Sequence, residues 1–204
     1  FKLMIILLSP KVSATMGVFP RHVPAALGAV KDAFLAPAAF RKDKLFWFFI
    51  IAFHAAIILL VIGHLELIKE FRLFQVIPHE VMIGAGFVGV ILIISTVYFL
   101  FRRFRSPYRE ISIMEDYILL ILLFLTMLIG SHLHLAARYG VAGFDIPVSE
   151  YRVYLGSLVS LAPVIPDSIT GSPHYVLVAL HIFLANLVIA LLPFTKMIHA
   201  VFTF

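Results

Sequence analysis

The stretch FWFFIIAFHAAIILLVIGHLEL, residues 46–67, decides the fold of this chain. It is a nearly unbroken apolar run of 22 residues, long enough for one membrane-spanning helix. It also contains two histidines, His54 and His64, ten residues apart. An ionisable side chain inside hydrocarbon is costly, so it normally faces the interior of a helix bundle and meets a partner there. The partners of these two histidines are therefore expected on another span.

The last apolar stretch, residues 175–204, carries a second pair of histidines. His181 and His199 are eighteen residues apart, which is five whole helical turns, so they share one face at a separation of roughly 27 Å. His54 and His64 are separated by roughly 15 Å and miss a whole number of turns by about 80°. If the helices run antiparallel, His64 lies level with His181 and His54 with His199. Helix tilt must then absorb roughly 6 Å at each pair.

Two opposed imidazoles at one level are typical of the axial ligands of a haem. A haem held only by axial ligands needs no cysteine, and the chain has none. Two other interpretations stay open, namely histidines that only hydrogen-bond between helices and a zinc or copper site. Ligands of one metal ion must converge within a few ångströms, whereas the two pairs are a helix length apart. The spacing therefore favours two bis-histidine haems.

Composition places the whole chain among membrane proteins. Hydrophobic residues make up 62% of its 204 residues, and the mean hydropathy is +1.07, both far above the values of soluble proteins. The absence of cysteine excludes iron–sulfur clusters, thioether-attached haem and disulfides within this chain. The net charge of +5 comes from short loops between apolar runs, where basic residues set membrane orientation. We therefore expect no nucleic-acid binding.

We predict an all-α integral membrane protein, a transmembrane helix bundle that binds two b haems. Four complete spans are expected in this chain, at residues 46–68, 81–101, 117–135 and 175–204, the last with a kink at Pro193. A fifth is expected at or before the N-terminus, because residues 1–8 are too short to span alone. The chain divides into residues 1–44, a partial helix with a basic interfacial segment, and residues 45–204, the dihaem cytochrome b transmembrane domain.

The loops predict the orientation of these spans. Residues 10–44 and 102–109 are strongly basic, while the loops at 69–79 and 136–173 are poorer in basic residues or balanced by acids. Basic loops stay on the cytoplasmic side, which places His54 and His199 in the inner half of the bilayer and the other pair in the outer half. The prolines in residues 136–173 argue against a further span there. We expect a multi-pass protein of the cell inner (cytoplasmic) membrane.

Candidate quinone-site residues lie near the predicted outer haem. His79 and Glu80 precede the second span on the outer side, and Glu66 follows His64 by two residues. A quinol oxidised there needs acceptors for its hydroxyl protons, and His and Glu are natural general bases. A carboxylate at a helix start beside a solvated histidine explains His79 and Glu80 equally well. His132 and His134, at the outer end of the third span, are similarly open between a quinone or haem-propionate contact and ordinary interfacial histidines.

Several short motifs together resemble one known family. They are Phe53-His54, Gly63-His64, Arg102-Arg103 with Ser106-Pro107, Leu180-His181, and Pro193-Phe194-Thr195-Lys196 before His199. In combination, over roughly residues 45–204, they resemble the gamma (cytochrome b) subunit of respiratory nitrate reductase. The resemblance implies a membrane protein of five helices with two b haems and a quinol site near the outer one. It also implies that His54 and His199 ligate the inner haem iron and His64 and His181 the outer haem iron.

Two features are more similar to a neighbouring branch. The basic stretch before residue 46 and the run SLAPVIPD at residues 160–167 resemble the membrane cytochrome b of heterodisulfide-reductase-type and sulfite-reduction complexes. In addition, no lysine lies between Arg72 and the second span, where the nitrate reductase subunit has one thought to help bind the quinol. The quinone contacts are therefore not transferred from the resemblance.

The predicted function follows from the ligand pattern and the resemblance together. We expect the quinone-reactive electron-transfer subunit of a respiratory-chain oxidoreductase, which exchanges electrons between menaquinol or menaquinone and an iron–sulfur protein subunit on the cytoplasmic side. Further subunits of the complex would carry the terminal substrate chemistry, so no catalytic residue is assigned in this chain. The alternatives are a nitrate reductase gamma subunit proper and a haem-free membrane anchor of a peripheral enzyme. An anchor gives no reason for histidines in register on two helices.

Overall fold

The computed structural model describes residues 35–67 and 86–195, with Gly28, Lys31 and Asp32, and of Glu66 the backbone alone. Within these residues every regular element is helical. Four helices are long and apolar enough to cross a membrane: Lys44–Leu65, Phe87–Phe104, Met114–Arg138 and Tyr175–Phe194. The predictions of an all-helical fold and of four spans are confirmed for the described part of the chain.

The spans alternate with short helices. In chain order the elements are α1 (Pro37–Lys42), α2 (Lys44–Glu66), α3 (Phe87–Phe104), α4 (Tyr108–Ile111), α5 (Met114–Arg138), α6 (Val148–Val159), α7 (Asp167–Thr170) and α8 (Tyr175–Leu191), followed by a 3-10 turn, Leu192–Phe194. The spans are α2, α3, α5 and α8. Helix α6 has 12 residues and is about 18 Å long, well short of a hydrocarbon core of about 30 Å. The expectation of no further span between α5 and α8 is confirmed.

Several span boundaries differ from the predicted ones, including the start of α5 at Met114 rather than at residue 117. Helix α3 begins at Phe87 rather than at residue 81, because Gly86 has a φ of 99°, a left-handed backbone conformation that interrupts a helix; residues 81–85 lie outside the described part. Helices α3 and α5 each end three residues beyond the predicted limits of 101 and 135, with arginines in their last turns. Cations stabilise the C-terminal end of a helix, so arginines that were expected in loops belong to the helices.

Pro193 changes the geometry of the last span. The α-helix ends at Leu191 and a 3-10 turn containing Pro193 follows. Proline lacks the backbone N–H that would continue the α-helical hydrogen bonding, which accounts for the change of helix type at the predicted kink. Residues 196–204 lie outside the described part of the chain.

Packing follows the order of the spans. Helix α2 packs against α3, α3 against α5, and α5 against α8. The buried core comes from the first three of these helices and consists of Phe53, Ala56, Val88, Leu92, Leu123 and Met127. Among the described residues, α2 and α8 are not one of the closely packed helix pairs. Within the described part of the chain, the bundle is therefore open between α2 and α8, the two spans that carry the predicted histidines.

The outer surfaces of the spans are apolar. Large hydrophobic side chains point away from the bundle, and Phe87, Phe183 and Ile189 are exposed by 70%, 62% and 62%. Contiguous apolar surface of this extent is unfavourable in water but is the normal surface of a helix that contacts lipid tails. Together with the lengths of the four helices, it identifies the chain as a multi-pass membrane protein.

A polar cluster connects α2 to α3 at the predicted inner side. Asp43 caps α2 by accepting the backbone N–H of Phe46 at 3.0 Å, and its other oxygen accepts a hydrogen bond from Arg102 Nη1 at 2.7 Å. The Arg102 guanidinium lies between the rings of Phe46 and Tyr108, 3.9 Å and 4.0 Å from their centres, and donates to the Tyr108 hydroxyl. One arginine thus holds the start of one span against the end of the next.

This cluster makes the stability of the protein depend on pH. The Phe46 amide and then the Arg102 side chain hold the pKa of Asp43 below its usual value of 3.8. The charged carboxylate stabilises the folded state at pH values above 3.8, its usual pKa. The stabilisation is lost as the pH falls through the lowered folded-state pKa.

We expect Asp43→Asn to lower the thermal unfolding temperature at pH 7, because the asparagine oxygen still caps the helix but the side chain has no charge for Arg102. The difference from wild type should shrink in scans at successively lower pH and vanish below the folded-state pKa; a difference that stays constant would contradict this account.

Candidate functional site

The structure brings two of the four predicted ligands together. The imidazole rings of His64, near the end of α2, and His181, in the second turn of α8, have their centres 6.4 Å apart with an angle of 43° between their planes. The approach occurs across the open side of the bundle, where α2 and α8 are not closely packed. His64 and His181 therefore lie at the same level, as their predicted pairing requires.

All three described histidines of the ligand set have the same ring nitrogen occupied. His54 Nδ1 donates to the Ile50 carbonyl and His64 Nδ1 to the Leu60 carbonyl, both at 2.8 Å, and His181 Nδ1 donates to the Thr126 carbonyl at 3.1 Å. A carbonyl oxygen can only accept, so Nδ1 carries a proton, and in a neutral imidazole Nε2 then carries the lone pair. Histidines that bind metals typically have this arrangement, with the second ring N–H bonded to a carbonyl or carboxylate. The three rings are therefore in the tautomer that allows Nε2 to act as a ligand.

His54 lies one level below this pair, by the direction of α2. Its side chain is exposed on the surface of the span, although a histidine facing hydrocarbon is costly unless something covers it. The predicted partner, His199, lies outside the described residues. Of the inner pair, the described residues thus contain one imidazole, His54, whose Nδ1 is bonded to the Ile50 carbonyl.

The donor set and its geometry fit a haem better than a bare metal ion. Two imidazoles on opposite sides of one metal ion, with metal–nitrogen bonds of about 2.0 Å, have their ring centres about 6 Å apart, which matches the observed 6.4 Å. A structural zinc site takes four ligands, and in residues 35–67 and 86–195 no group of three or more His, Cys, Asp and Glu side chains could hold a metal ion. A haem needs only two axial side chains from the protein, which is the number present.

The comparisons with known proteins address the same part of the chain. A family model described as the nitrate reductase gamma subunit matches residues 37–204. The chain belongs to this family. Searches of curated proteins and of solved structures each returned no significant match. The matched range contains all four spans and all four candidate ligands.

Membership of the nitrate reductase gamma subunit family establishes the general class of the protein. The family consists of subunits of the nitrate reductase complex, an oxidoreductase, and indicates a membrane cytochrome b subunit of a respiratory oxidoreductase that works with other subunits. The four spans agree with that class. The prediction of the family is confirmed, and the assignment of the four histidines as ligands stays a prediction.

The predicted quinone residues fall largely outside the described structure. His79 and Glu80 are not among the described residues, and Glu66 is described only as the last backbone position of α2. His132 lies on the surface near the end of α5, with its ring edge-on to Phe144 at 5.5 Å, and His134 is half-buried on the same helix. No quinone contact is assigned to any of them.

His174 provides a contrast with the ligand set. It uses Nε2 rather than Nδ1 for its hydrogen bond, to the Ala142 carbonyl at 3.3 Å, and its ring stacks on Phe144 with the centres 3.7 Å apart. His174 thus bonds to the backbone through Nε2, whereas the other three histidines bond through Nδ1, and its ring is held in a loop contact. This histidine is therefore a suitable negative control for the ligand assignment.

Sequence reasoning missed the contact between Thr126 and His181. The two residues are 55 positions apart and belong to different spans, and a backbone carbonyl leaves no signature in a side-chain sequence. Thr126 itself resembles an ordinary polar residue of an apolar helix, whose hydroxyl bonds to the Leu122 carbonyl at 2.7 Å. Only the packing of α5 against α8 reveals that this peptide group reaches a candidate ligand.

Proposed function

We propose that this chain is the dihaem cytochrome b subunit of a respiratory oxidoreductase of the inner membrane, in which His64 and His181 hold an outer b haem and His54 and His199 an inner one. The observation that carries the proposal is the approach of two imidazoles from different spans, with 6.4 Å between their centres. Haem iron held in this way accepts and gives up one electron at a time. Two such sites on one pair of helices offer a path for electrons between the faces of the membrane.

The hydrogen bonds of this chain would orient the imidazole ligands before a haem binds. The Nδ1–H bonds of His54, His64 and His181 fix the ring orientation and the tautomer, so little ordering remains when a ligand binds to Nε2. Each bond also makes the imidazole a stronger electron donor to a metal.

The electron donor and acceptor are proposed from the resemblance and from the orientation of the spans. Menaquinol or menaquinone reacts near the outer pair, with His79, Glu80 and Glu66 as candidate proton acceptors. An iron–sulfur protein subunit docks on the cytoplasmic side, where residues 102–109 and the segment before residue 44 are rich in arginine and lysine. The absence of cysteine supports a separate iron–sulfur partner, because this chain has no thiolate to hold a cluster.

Within the family, we favour the branch found in heterodisulfide-reductase-type and sulfite-reduction complexes over a subunit of nitrate reductase itself. The long basic stretch before residue 46 and the run at residues 160–167 support this choice. In the structure that run connects α6 to α7 on the predicted outer side. Co-purification with the tagged chain, followed by identification of the partners by mass spectrometry, separates the two branches by the catalytic subunit that is recovered.

A reduction experiment tests the proposed function. The complex purified with its partner subunits is mixed with a menaquinol analogue under anaerobic conditions, and the visible spectrum and the EPR spectrum of the iron–sulfur clusters are recorded. We expect both b-type haem signals and the cluster signal to respond to the quinol. Haem that dithionite reduces but quinol does not would overturn the quinone assignment. A complex that contains no haem even after haem supplementation would overturn the dihaem assignment and favour the haem-free anchor.

A further inference from the structure

His181 differs from the other candidate ligands in where its hydrogen bond goes. His54 and His64 each bond to a carbonyl four residues earlier in their own helix. His181 bonds instead to the Thr126 carbonyl of α5, a neighbouring span, and α5 carries none of the four predicted ligands. The orientation of this one imidazole therefore depends on how α5 and α8 are packed.

Gly130 is what allows the ring to reach that carbonyl. It lies four residues after Thr126, one helical turn further along the same face of α5. A Cβ atom placed on Gly130 would be 2.6 Å from Cε1 of His181, 3.2 Å from Nδ1 and 3.3 Å from Nε2. The first distance is closer than carbon atoms approach without displacement, so a side chain at this position displaces the imidazole relative to α5, the helix that carries the Thr126 carbonyl.

The space beside Gly130 is occupied by the His181 imidazole and not by the backbone of a neighbouring helix. Small residues in membrane helices commonly allow two backbones to approach, and that explanation would place α8 main-chain atoms nearest to the missing Cβ. The three nearest atoms are all in the His181 ring. The glycine is accordingly matched to one side chain, which is the candidate ligand.

We infer that Gly130 and the Thr126 carbonyl, here called the α5 imidazole contact, position His181 and set the redox potential of the outer haem site. This inference rests on the proposed function. Donation of Nδ1–H to a carbonyl makes an imidazole more basic, and a more basic axial ligand favours ferric over ferrous iron. The α5 imidazole contact thus makes the outer site's potential depend on a helix that supplies no ligand. Gly130 is a positioning residue, because it acts through His181.

The test compares Gly130→Ala with Gly156→Ala by redox titration of the haem spectrum. Gly156 is a helical glycine of α6 with nothing within 4 Å of an added Cβ, so it controls for the substitution itself. We expect Gly130→Ala to raise the potential of the outer component by a tenfold change in its equilibrium constant, about 59 mV for one electron, or to remove that component alone. The inner component and the Gly156→Ala titration should match wild type. The outer component is identified beforehand as the one lost in His64→Ala.

The outcomes separate this inference from the proposed function. An unchanged outer potential in Gly130→Ala, or an equal shift of both components, would overturn the α5 imidazole contact while leaving two haems in place. A wild-type protein without haem would overturn the proposed function itself. If Gly130→Ala alone fails to fold, the double variant with His181→Ala removes the overlapping ring and should recover the folded yield of His181→Ala alone. A double variant that also fails to fold would contradict the inference.

Discussion

Replacing His181 with alanine is expected to remove the outer b-type haem and leave the inner one. The haem has no thioether attachment in a chain without cysteine, so its axial bonds are the main links to the protein. Removal of one imidazole from a pair whose rings are 6.4 Å apart leaves a single weak ligand. We expect haem content to fall from two to one per chain, and quinol-driven reduction of the inner haem to fall by at least about 10²-fold, the upper end of the loss seen when metal-site support is removed.

His174→Ala is the matched control for this variant. His174 lies two helical turns before His181, but its Nε2 is bonded to the Ala142 carbonyl and its ring stacks on Phe144. This variant should keep both haems and the wild-type rate of reduction. The haem content per chain, measured as the pyridine haemochrome, decides between the two results. Two haems per chain in His181→Ala would show that His181 is not a ligand.

The second large effect is expected at Gly89, where α3 crosses α5. A methyl group on Gly89 would overlap Ser131 Oγ, which can rotate away, and would lie 3.1 Å from Ser131 Cβ, which moves only with the α5 backbone. Overpacking of a close contact costs about 1–3 kcal/mol, whereas exchange of glycine for alanine inside a helix favours the helix by at most about 1 kcal/mol. The cost of the overlap therefore exceeds the gain in helix propensity. Gly89→Ala should lower the free energy of unfolding, measured in detergent by thermal or denaturant titration.

A double-variant cycle assigns that loss to one contact. Ser131→Gly removes both overlapping atoms, so Gly89→Ala in the Ser131→Gly background should cost much less than it does alone. Gly156→Ala, with open space around the added methyl, should be neutral or slightly stabilising. Equal losses in both backgrounds would mean that the overlap with Ser131 is not what makes glycine necessary at this position.

The sequence was sufficient to predict the spans and one pairing of side chains. Long apolar runs give helices because lipid cannot satisfy unpaired backbone groups. Helix geometry then converts the spacings of ten and eighteen residues into distances along each span. The approach of His64 to His181 was predicted in this way and is present in the structure. The exact helix limits were less accurate, since the left-handed backbone at Gly86 and the arginines of the last turn of α3 depend on local conformation and charge.

What the sequence could not predict are contacts between distant groups of ordinary type. The ion pair between Asp43 and Arg102 joins positions 59 residues apart. Charge alone would allow many other pairs of acidic and basic side chains in the loops. The bond from His181 to the Thr126 carbonyl involves a backbone group. Gly130 resembles any small residue of a membrane helix until the His181 ring is placed against it. Each of these contacts is decided by the packing of the spans.

A redox-titrated visible spectrum of the purified complex, wild type beside His64→Ala and His199→Ala, tests the central claim most directly. We expect two low-spin b-type components in the wild type, with the outer one missing from His64→Ala and the inner one missing from His199→Ala. That result would establish two haems, one at each pair of histidines. A wild-type spectrum without haem, or the loss of the same component in both variants, would contradict the assignment of four ligands to two sites.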